Sequence, residues 1–150
     1  MMLASGTIYA QQTFNELTYT KDVSSFKLNA PSKARSVKVN IYKEGIGGTV
    51  VKTVKMKRTG NDLWTADIKG DLKGMFYTFQ VETKQQKMNE TPGVFAKAVG
   101  VNGRRAAIID MAETNPEGWC CDQRPLTKQP TDLVIYEMHH RDYSIEPTSG

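Results

Sequence analysis

The sequence predicts an all-β protein: an immunoglobulin-like β-sandwich, followed by a linker and one further strand. Between Phe26 and Ile109, apolar residues recur at every second position in segments of strand length, which is the pattern of a half-buried strand. Turn-forming residues interrupt these segments at intervals of about 8–12 residues, a spacing typical of a sandwich. No segment of this region has helical periodicity, and a chain of 150 residues is long enough to bury one ordinary core.

The first two predicted strands follow one another in the sequence. One begins at Phe26 and ends at Pro31, because proline cannot donate a backbone hydrogen bond within a sheet. The next places three apolar residues on one face, since alternate side chains of a strand share a face. These three residues are Val37, Val39 and Ile41. A glycine-rich turn follows.

Three further segments complete the predicted sandwich, which spans residues 24–101 after an N-terminal extension, residues 1–23. The first, VVKTVKMKR, carries its lysines as the solvent-facing side of a sheet does. The core-facing residues of the other two are Trp64, Ala66 and Ile68, then Met75, Tyr77, Phe79 and Val81. We expect Trp64, Tyr77 and Phe79 to be buried, because large aromatic rings dominate the packing of a core.

A joining segment, residues 102–130, follows the sandwich. Asn102-Gly103 stands between apolar flanks and predicts a tight two-residue turn. The later stretch, AETNPEGWCCDQRPLTKQPTD, has three prolines and few apolar residues, so we expect a linker or loop laid over a surface. Trp119 lies within this loop, and we expect its ring to pin the loop to a neighbouring domain.

Residues 131–150 predict one more strand. Leu133 to Tyr136 are four consecutive apolar or aromatic residues, a run typical of a central parallel strand that is covered on both faces. The chain offers no neighbours for such a strand, so the run predicts the first element of a larger domain. We expect its backbone to pair with the rest of that domain as a second chain, separated by nicking or by a split gene. The alternative is that the segment docks on its own sandwich or on a second copy.

Charge is distributed unevenly along the chain. Residues 21–105 hold 17 of the 20 Lys and Arg residues, which raises the hypothesis of a basic nucleic-acid-binding β domain. Most of these lysines alternate along predicted strands, however, as solvent-facing residues do, and no recognition helix or RNA-reading motif is present. We expect no nucleic-acid partner, and no membrane span, because no apolar run approaches about 20 residues.

The cysteines and histidines do not predict a metal site. Cys120 and Cys121 are adjacent, with Cα atoms about 3.8 Å apart across a trans peptide. Ordinary disulfides need about 4.4–6.8 Å, so we expect two free thiols. His139 and His140 are also adjacent and would point to opposite faces of a strand, which is unsuitable for shared ligation.

Three stretches resemble one known family in the same order and spacing. VIYEMHHRDYS resembles the segment that opens the catalytic barrel of glycoside hydrolase family 13, commonly I-Y-E-x-H-x-R-D-F-S. FAKAVGVNGRRAAIIDMAETNPEGW resembles the joining segment of type I pullulanases within that family. LNAPSKARSVKVNIY and DLWTADIKGDLKGMFYTFQV resemble a carbohydrate-binding module of family 48, which precedes the barrel in such enzymes. The resemblance covers about residues 24–150.

Two positions depart from the family pattern. Members commonly read Asp-Pro-Tyr-Ala where this chain has PGVFA, so Phe95 stands in the place of the tyrosine. The Trp-Ala-Pro common at the first strand is Asn29-Ala30-Pro31 here. The missing aromatic at Asn29 weakens the expectation that this edge contacts sugar.

The resemblance implies the N-terminal part of a retaining α-glucan debranching enzyme that hydrolyses α-1,6-glucosidic bonds in pullulan and starch-type glucans. Such enzymes use two carboxylates at the C-terminal ends of strands in a (β/α)8 barrel. Residues 131–150 then correspond to the first barrel strand, and the catalytic carboxylates lie beyond this chain. We expect no catalytic residue and no cofactor in the chain, although the family allows for calcium in the parent enzyme, and we expect residues 1–150 alone to be inactive.

The resemblance also marks a barrel-entry motif at the end of this first strand. Its matching residues are Tyr136, Glu137, His139, Arg141 and Asp142. Polar residues at the top of a barrel strand line the substrate cleft in such enzymes. The alternative is that these residues brace neighbouring loops through hydrogen bonds and ion pairs.

Carbohydrate-binding modules stack aromatic faces on sugar rings, which makes Tyr42 the stacking candidate of the sandwich. Trp64 and Tyr77 share alternations with apolar residues and are expected in the core. Tyr42 falls on the other face of its strand, with Lys38 and Asn40. The alternative is an ordinary surface tyrosine without a binding role.

The expected partner is an α-glucan polysaccharide. A stand-alone, non-catalytic glucan-binding sandwich is the rival hypothesis, although such a module has no use for the strand at Leu133. MMLASGTIYA has the small residues of the end of a signal peptide but no basic segment or long apolar core, and a frayed terminus is the simpler interpretation. A polymeric substrate favours export to the periplasm or the cell surface.

Overall fold

The computed structural model describes residues 14–123, 126, 128–139 and 146–148. The chain divides into two compact units, the first ending at Thr114 and the second beginning at Asn115. Each unit is described by itself below. None of the helices among the described residues has the length and hydrophobicity needed to cross a membrane.

The first unit is a sandwich of two four-stranded antiparallel sheets, which confirms the predicted fold class. The strands are β1 (Leu17–Tyr19), β2 (Val23–Asn29), β3 (Ala34–Tyr42), β4 (Val50–Lys55), β5 (Lys57–Arg58), β6 (Leu63–Lys69), β7 (Phe76–Thr83) and β8 (Ala106–Ala107). One sheet has the order β1-β2-β6-β5 and the other the order β4-β3-β7-β8. The strands extend on both sides of the predicted bounds, residues 24–101, since β1 precedes them and β8 follows.

Short 3-10 helices complete the secondary structure of the described residues. They span Val101–Gly103, Met111–Thr114, Trp119–Cys121 and Pro130–Asp132. The first contains the predicted Asn-Gly turn, where Asn102 has a φ of 54° and Gly103 a φ of 64°. Its flanks pair in antiparallel fashion, with the Gly100 N–H 2.8 Å from the Arg105 carbonyl oxygen. A tight turn at this position is confirmed, but four residues rather than the predicted two separate the paired Gly100 and Arg105.

The core lies between the inner faces of the two sheets. Trp64, Tyr77 and Phe79 are buried as predicted. Phe26 of β2 meets Tyr77 of β7 edge-to-face, with ring centroids 5.2 Å apart, and Tyr77 meets Phe79 in the same manner at 5.4 Å. Edge-to-face pairs add about 0.5–1.5 kcal/mol to the stabilisation that area burial provides, so this aromatic cluster joins the two sheets.

The outer face of β3 differs from the prediction. Its inner residues are buried, as expected, but Asn40 and Tyr42 on the opposite face are buried too. The Asn40 side chain accepts a hydrogen bond of 2.7 Å from the Thr53 hydroxyl of β4. The second half of β3 is therefore covered on both faces, and its alternation of polar and apolar residues does not mark a solvent-facing side.

The hairpin around Asn102 approaches the loop after β3 closely. A Cβ added at Gly100 would lie 2.9 Å from the Gly45 Cα atom and 3.0 Å from the Phe76 ring. Real Cβ atoms do not come this close to backbone, so the hairpin needs glycine at Gly100, and a Cβ at Gly45 would be a tight fit, 3.3 Å from the Gly100 Cα atom. The contact brings the side chain of Arg105 to the outer face of β3.

The described residues of the second unit do not contain the predicted strand. Leu133–Met138 has neither regular secondary structure nor a partner strand there, and Val134 and Ile135 are 92% and 86% exposed. The physical reason is that β-structure needs a neighbour for its backbone groups, and the described part of this chain supplies none. Pairing with a second chain stays a prediction.

Candidate functional site

A groove lies beside β1 in the first unit, with a volume of about 230 Å³. Its lining combines apolar and charged side chains, as ligand-binding pockets do. The lining residues are Asn15, Leu17, Thr18, Tyr19, Tyr77, Phe95, Lys97, Ala107, Ile109, Asp110 and Met111. We call this feature the Phe95 groove.

The aromatic wall of the groove is Phe95, which is 53% exposed. Its ring packs against the ring of Phe14 at a centroid separation of 5.5 Å and a tilt of 59°. The packing leaves part of the Phe95 ring open to solvent while holding its orientation. An exposed aromatic ring beside a groove offers a flat apolar surface to a ligand with an apolar face.

Glu16 fixes the loop that carries Phe95. Its side chain is only 2% exposed, and its carboxylate accepts hydrogen bonds from the N–H of Val94 at 3.1 Å and of Phe95 at 2.9 Å. Burial raises the pKa of Glu16, and the two backbone hydrogen bonds oppose this shift. Gly93 completes the arrangement, because its φ is +96° and a Cβ there would overlap the Glu16 carboxylate.

Two other lining residues, Tyr19 and Asp110, are also ordered by side-chain hydrogen bonds. The Tyr19 hydroxyl donates to the Asp71 carboxylate at 2.8 Å. Desolvation, and then this hydrogen bond, raise the pKa of Tyr19 to about 12. The Asp110 carboxylate accepts from the N–H of Ala112 at 3.0 Å, which places its charge at the groove. The groove therefore has a carboxylate as well as an aromatic ring in its lining.

Lys97 adds a third kind of group to the groove. Its ammonium can donate to oxygen atoms but cannot accept a hydrogen bond, whereas the Asp110 carboxylate can only accept. An aromatic face, an acceptor and a donor around one groove suit a ligand with hydroxyl groups around an apolar ring. No chemistry beyond binding follows from this arrangement.

Tyr42 does not have the environment that we expected from the sequence. Its ring is 5% exposed, with the Arg105 guanidinium carbon 3.5 Å from the ring centroid. Its hydroxyl donates to the Glu90 carboxylate at 2.5 Å, and burial followed by this hydrogen bond raises the pKa of Tyr42. The prediction of a solvent-facing stacking residue is wrong, because Arg105 covers the face that a sugar would use.

The network around Tyr42 is a structural one. Glu90 also accepts a hydrogen bond of 2.5 Å from the Thr78 hydroxyl, and Arg105 donates to the Glu44 carbonyl oxygen at 2.6 Å. These bonds tie β3 and β7 to the loops that cross them. A cation over a tyrosine ring contributes about 0.5–2 kcal/mol, which holds the hairpin around Asn102 on the sheet.

The predicted barrel-entry motif belongs to the second unit, whereas the lining residues of the Phe95 groove belong to the first. Tyr136, Glu137 and His139 belong to the second unit, where each is exposed. Arg141 and Asp142 lie outside the described residues. Trp119, expected to pin the joining segment to a neighbouring domain, is 58% exposed in this chain, and its pinning role stays a prediction.

The sequence analysis missed Phe95, which lines the groove, and Glu16, which holds the loop that carries Phe95. In the sequence, Phe95 is noticeable only as a departure from the family pattern. An aromatic residue in a loop shortly after a Pro-Gly pair could nevertheless have indicated a binding surface. Glu16 lies in the segment assigned to an N-terminal extension, and no local pattern marks it, because its partners are about 78 residues away.

The described residues hold no group of three or more His, Cys, Asp or Glu side chains that could bind a metal ion. The calcium that the family resemblance allows for in the parent enzyme stays an expectation.

The chain is similar to pullulanases in sequence and in structure, although no family model matches it. It is 34% identical over 132 residues to the pullulanase of Bacillus subtilis (strain 168), covering 88% of this chain and 17% of that protein. The crystal structure of apo pullulanase from Paenibacillus barengoltzii superposes with a TM-score of 0.83 and 43% identity, over 95% of this chain and 21% of that one.

A second structure of the Paenibacillus barengoltzii pullulanase is a complex with maltohexaose and α-cyclodextrin. It matches with the same TM-score of 0.83 and 43% identity, over 95% of this chain and 22% of that one. The chain thus spans about a fifth of the length of these relatives. The similarity covers nearly all of this chain but only that fifth of each relative.

Proposed function

We propose, from the premise that this chain is related to pullulanases over 95% of its length, that it is the N-terminal part of an α-glucan debranching enzyme. The observation that carries the proposal is the combination of 43% identity with a TM-score of 0.83. The sandwich then corresponds to the carbohydrate-binding module that precedes the barrel. The parent protein is proposed to hydrolyse α-1,6-glucosidic bonds of pullulan and starch-type glucans.

The proposed chemistry is that of a retaining glycosidase. One carboxylate attacks the anomeric carbon and a carboxylic acid protonates the leaving oxygen, which requires the two groups to stand about 5–5.5 Å apart. We assign both groups to the part of the parent protein beyond this chain. In support, Glu16 and Glu90 are held by backbone and hydroxyl donors within the sandwich, so their oxygens serve packing.

The second unit is proposed to supply the first strand of the barrel. The exposure of Val134 and Ile135, at 92% and 86%, supports this role, because such side chains are covered on both faces in a parallel sheet. Glu137 and His139 then stand at the end of this strand, facing the cleft. The neighbouring strands come from the rest of the parent protein, in our proposal as a second chain.

A glucan-binding role of the sandwich is a second candidate function, and the Phe95 groove favours it. The groove offers an aromatic face, a carboxylate and an ammonium to a sugar ring and its hydroxyl groups. This role does not need the barrel. A stand-alone binding module and a part of a debranching enzyme therefore predict the same groove but different activities.

Hydrolysis of pullulan separates the two candidates. Residues 1–150 alone should release no reducing sugar above a buffer blank, and the chain combined with the polypeptide that encodes the rest of the barrel should release it. Proton NMR of the fresh product should show the α-anomer, as retention requires. Release by residues 1–150 alone, or none by the combined chains, would contradict the debranching proposal.

Binding tests the groove itself. The sandwich should bind amylose or pullulan, and Phe95→Ala should weaken this binding about tenfold, since aromatic contacts are worth about 1–3 kcal/mol in comparable stacking interactions. Tyr42→Phe is the matched control, because that ring is already covered by Arg105. Equal binding by all three proteins would remove Phe95 from the site, and tighter binding to DNA would favour the nucleic-acid hypothesis.

Export is proposed for the parent protein, because a polymeric glucan outside the cell cannot reach an enzyme inside it. Cell fractionation tests this directly. The protein should be found in the periplasm or at the cell surface rather than with cytoplasmic marker proteins.

A further inference from the structure

The two cysteines of the second unit form a close pair of thiols in the 3-10 helix Trp119–Cys121. Their sulfur atoms are 3.5 Å apart, and both residues are exposed and unoxidised. In a strand, neighbouring side chains would point to opposite sides. Here a turn that begins at Gly118, whose φ is +80°, brings the two sulfur atoms to the same side.

The turn is closed by backbone hydrogen bonds on both sides of the pair. The Cys121 N–H donates to the Gly118 carbonyl oxygen at 2.9 Å, and the Asp122 N–H donates to the Trp119 carbonyl oxygen at 3.2 Å. These bonds fix the backbone between the two thiols. The sulfur atoms are therefore brought together by the local structure before any ligand arrives.

A disulfide is the less suitable product of this geometry. Disulfide sulfurs lie about 2.05 Å apart, on residues whose Cα atoms are usually about 4.4–6.8 Å apart. Adjacent residues across a trans peptide are held about 3.8 Å apart. Direct bonding of the two sulfurs strains the turn, so the pair is kept as two thiols that a larger atom can bridge.

A single thiophilic atom fits between the sulfurs. With bonds of about 2.3 Å to each sulfur, as thiolates make to zinc, a separation of 3.5 Å corresponds to an angle of about 100° at that atom. Linear two-coordinate copper requires a much wider angle. Zinc sites of proteins take three or four protein ligands, and the described residues offer no third His, Cys, Asp or Glu.

We propose that Cys120 and Cys121 form a binding site for trivalent arsenic carrying one organic group. Such an atom is pyramidal, binds soft sulfur ligands, and needs only two bonds from the protein because its third substituent is already present. This inference goes beyond the proposed function and is independent of it. It depends only on the turn at residues 118–122.

The binding step balances without an oxidant. An organoarsenoxide and two thiols give a cyclic dithioarsenite and one water molecule. Two arsenic–sulfur bonds form, the arsenic–oxygen bond breaks, and the two thiol protons leave with that oxygen. Neither arsenic nor sulfur changes its oxidation state.

Chelation explains why two adjacent thiols should bind arsenic more tightly than one thiol. After the first arsenic–sulfur bond forms, the second thiol reacts within the same molecule at an effective concentration that can raise affinity by about 10²–10⁴. The exposed ring of Trp119 precedes the pair, whereas Trp64 is buried in the first unit. Binding should therefore alter the fluorescence of Trp119.

Phenylarsine oxide tests the proposal on the reduced 150-residue chain. Intact-mass spectrometry should show one phenylarsenic group per chain with loss of two hydrogen atoms. An excess of a monothiol such as 2-mercaptoethanol should leave the adduct in place, and the dithiol 2,3-dimercaptopropanol should remove it. The fluorescence change should be lost in Trp119→Phe, while the mass adduct persists.

The matched controls are Cys120→Ser and Cys121→Ser, each of which keeps one exposed thiol and the same turn. Each should bind phenylarsine oxide at least a hundredfold more weakly and lose it to the monothiol. Equal affinity of either single variant and the parent would overturn the proposal, because one thiol would then suffice. The absence of a stable one-to-one adduct with the parent would overturn it as well.

Discussion

The first and second units differ in where their apolar residues find partners. In the sandwich, most apolar residues of β2, β3, β6 and β7 alternate with polar ones and turn one covered face to the core, as Val39 and Phe79 do. In Leu133–Met138 the apolar residues are consecutive and stay exposed. An alternating pattern is satisfied by one second sheet, whereas a consecutive run needs cover on two faces and neighbours on two edges. The sandwich covers its core residues by itself, whereas the second unit does not cover this apolar run among the described residues. We propose that further polypeptide covers it.

The largest difference between the two regions should appear when one large apolar side chain is removed from each. Phe79→Ala should lower the free energy of unfolding by about 3–5 kcal/mol, because the ring is fully buried and its loss leaves a cavity. Ile135→Ala in the same chain should change it by less than about 0.5 kcal/mol, as exposed residues do. Urea unfolding of both variants checks this, and equal losses would show that Ile135 is packed.

The loop that carries Phe95 offers a second test of how the sandwich is ordered. Gly93→Ala introduces a methyl group onto the Glu16 carboxylate at a residue with a φ of +96°. Gly70→Ala is the matched control, because its φ is +102° and nothing lies within 4 Å of its added Cβ. We expect Gly93→Ala to cost about 1.5–3 kcal/mol more than the control, since the carboxylate loses its backbone donors. Equal costs would mean that the carboxylate moves aside freely.

The pH dependence of the same loop has a definite sign. Burial raises the pKa of Glu16 in the folded protein above its ordinary value of 4.5. The Glu16 carboxyl group therefore keeps its proton to higher pH in the folded state than in the unfolded state. Its contribution to the stability of the fold falls as pH rises above about 4.5. Glu16→Gln cannot titrate and should lack this fall.

Urea midpoints of the parent and Glu16→Gln, measured from pH 4 to pH 7, check this expectation. The stability of the parent relative to the variant should decrease as pH rises. A constant difference would contradict the raised pKa, and an increasing one would mean that the backbone donors outweigh burial.

The smallest expected effect concerns the outer face of β3. Tyr42→Phe removes the hydroxyl that donates to Glu90 at 2.5 Å but keeps the ring beneath Arg105. We expect a loss of about 1 kcal/mol, since Glu90 keeps its second donor, Thr78. The urea midpoint should fall with an unchanged m-value. An unchanged midpoint would assign the stabilisation to the ring and Arg105 alone.

The sequence predicted those elements whose conformation follows from a local pattern, such as the alternation of a strand or the residue pair of a turn. Val37, Val39 and Ile41 were recognised because strands bury alternate residues, and Asn102-Gly103 because both residues tolerate positive φ. Tyr42 was assigned to the wrong environment, because Glu90 and Arg105 reach it from loops that a strand pattern does not describe.

The candidate site was harder to predict than the fold. Glu16 and Phe95 are about 79 residues apart in sequence, and their contact depends on how β1 joins the first sheet. The barrel-entry motif was recognised from its resemblance, yet its strand is absent in the described residues. A local pattern predicts a local conformation only when the neighbours that stabilise it are present.

Hydrogen exchange of the backbone amides from residue 133 to residue 138 tests the central claim most directly. In the 150-residue chain these amides should exchange at nearly the rate of an unfolded peptide, while those of β3 and β7 are protected. In the longer protein, or after addition of the polypeptide carrying the rest of the barrel, they should become as protected as those of β3. Protection in the short chain alone, or none in the longer protein, would contradict the account.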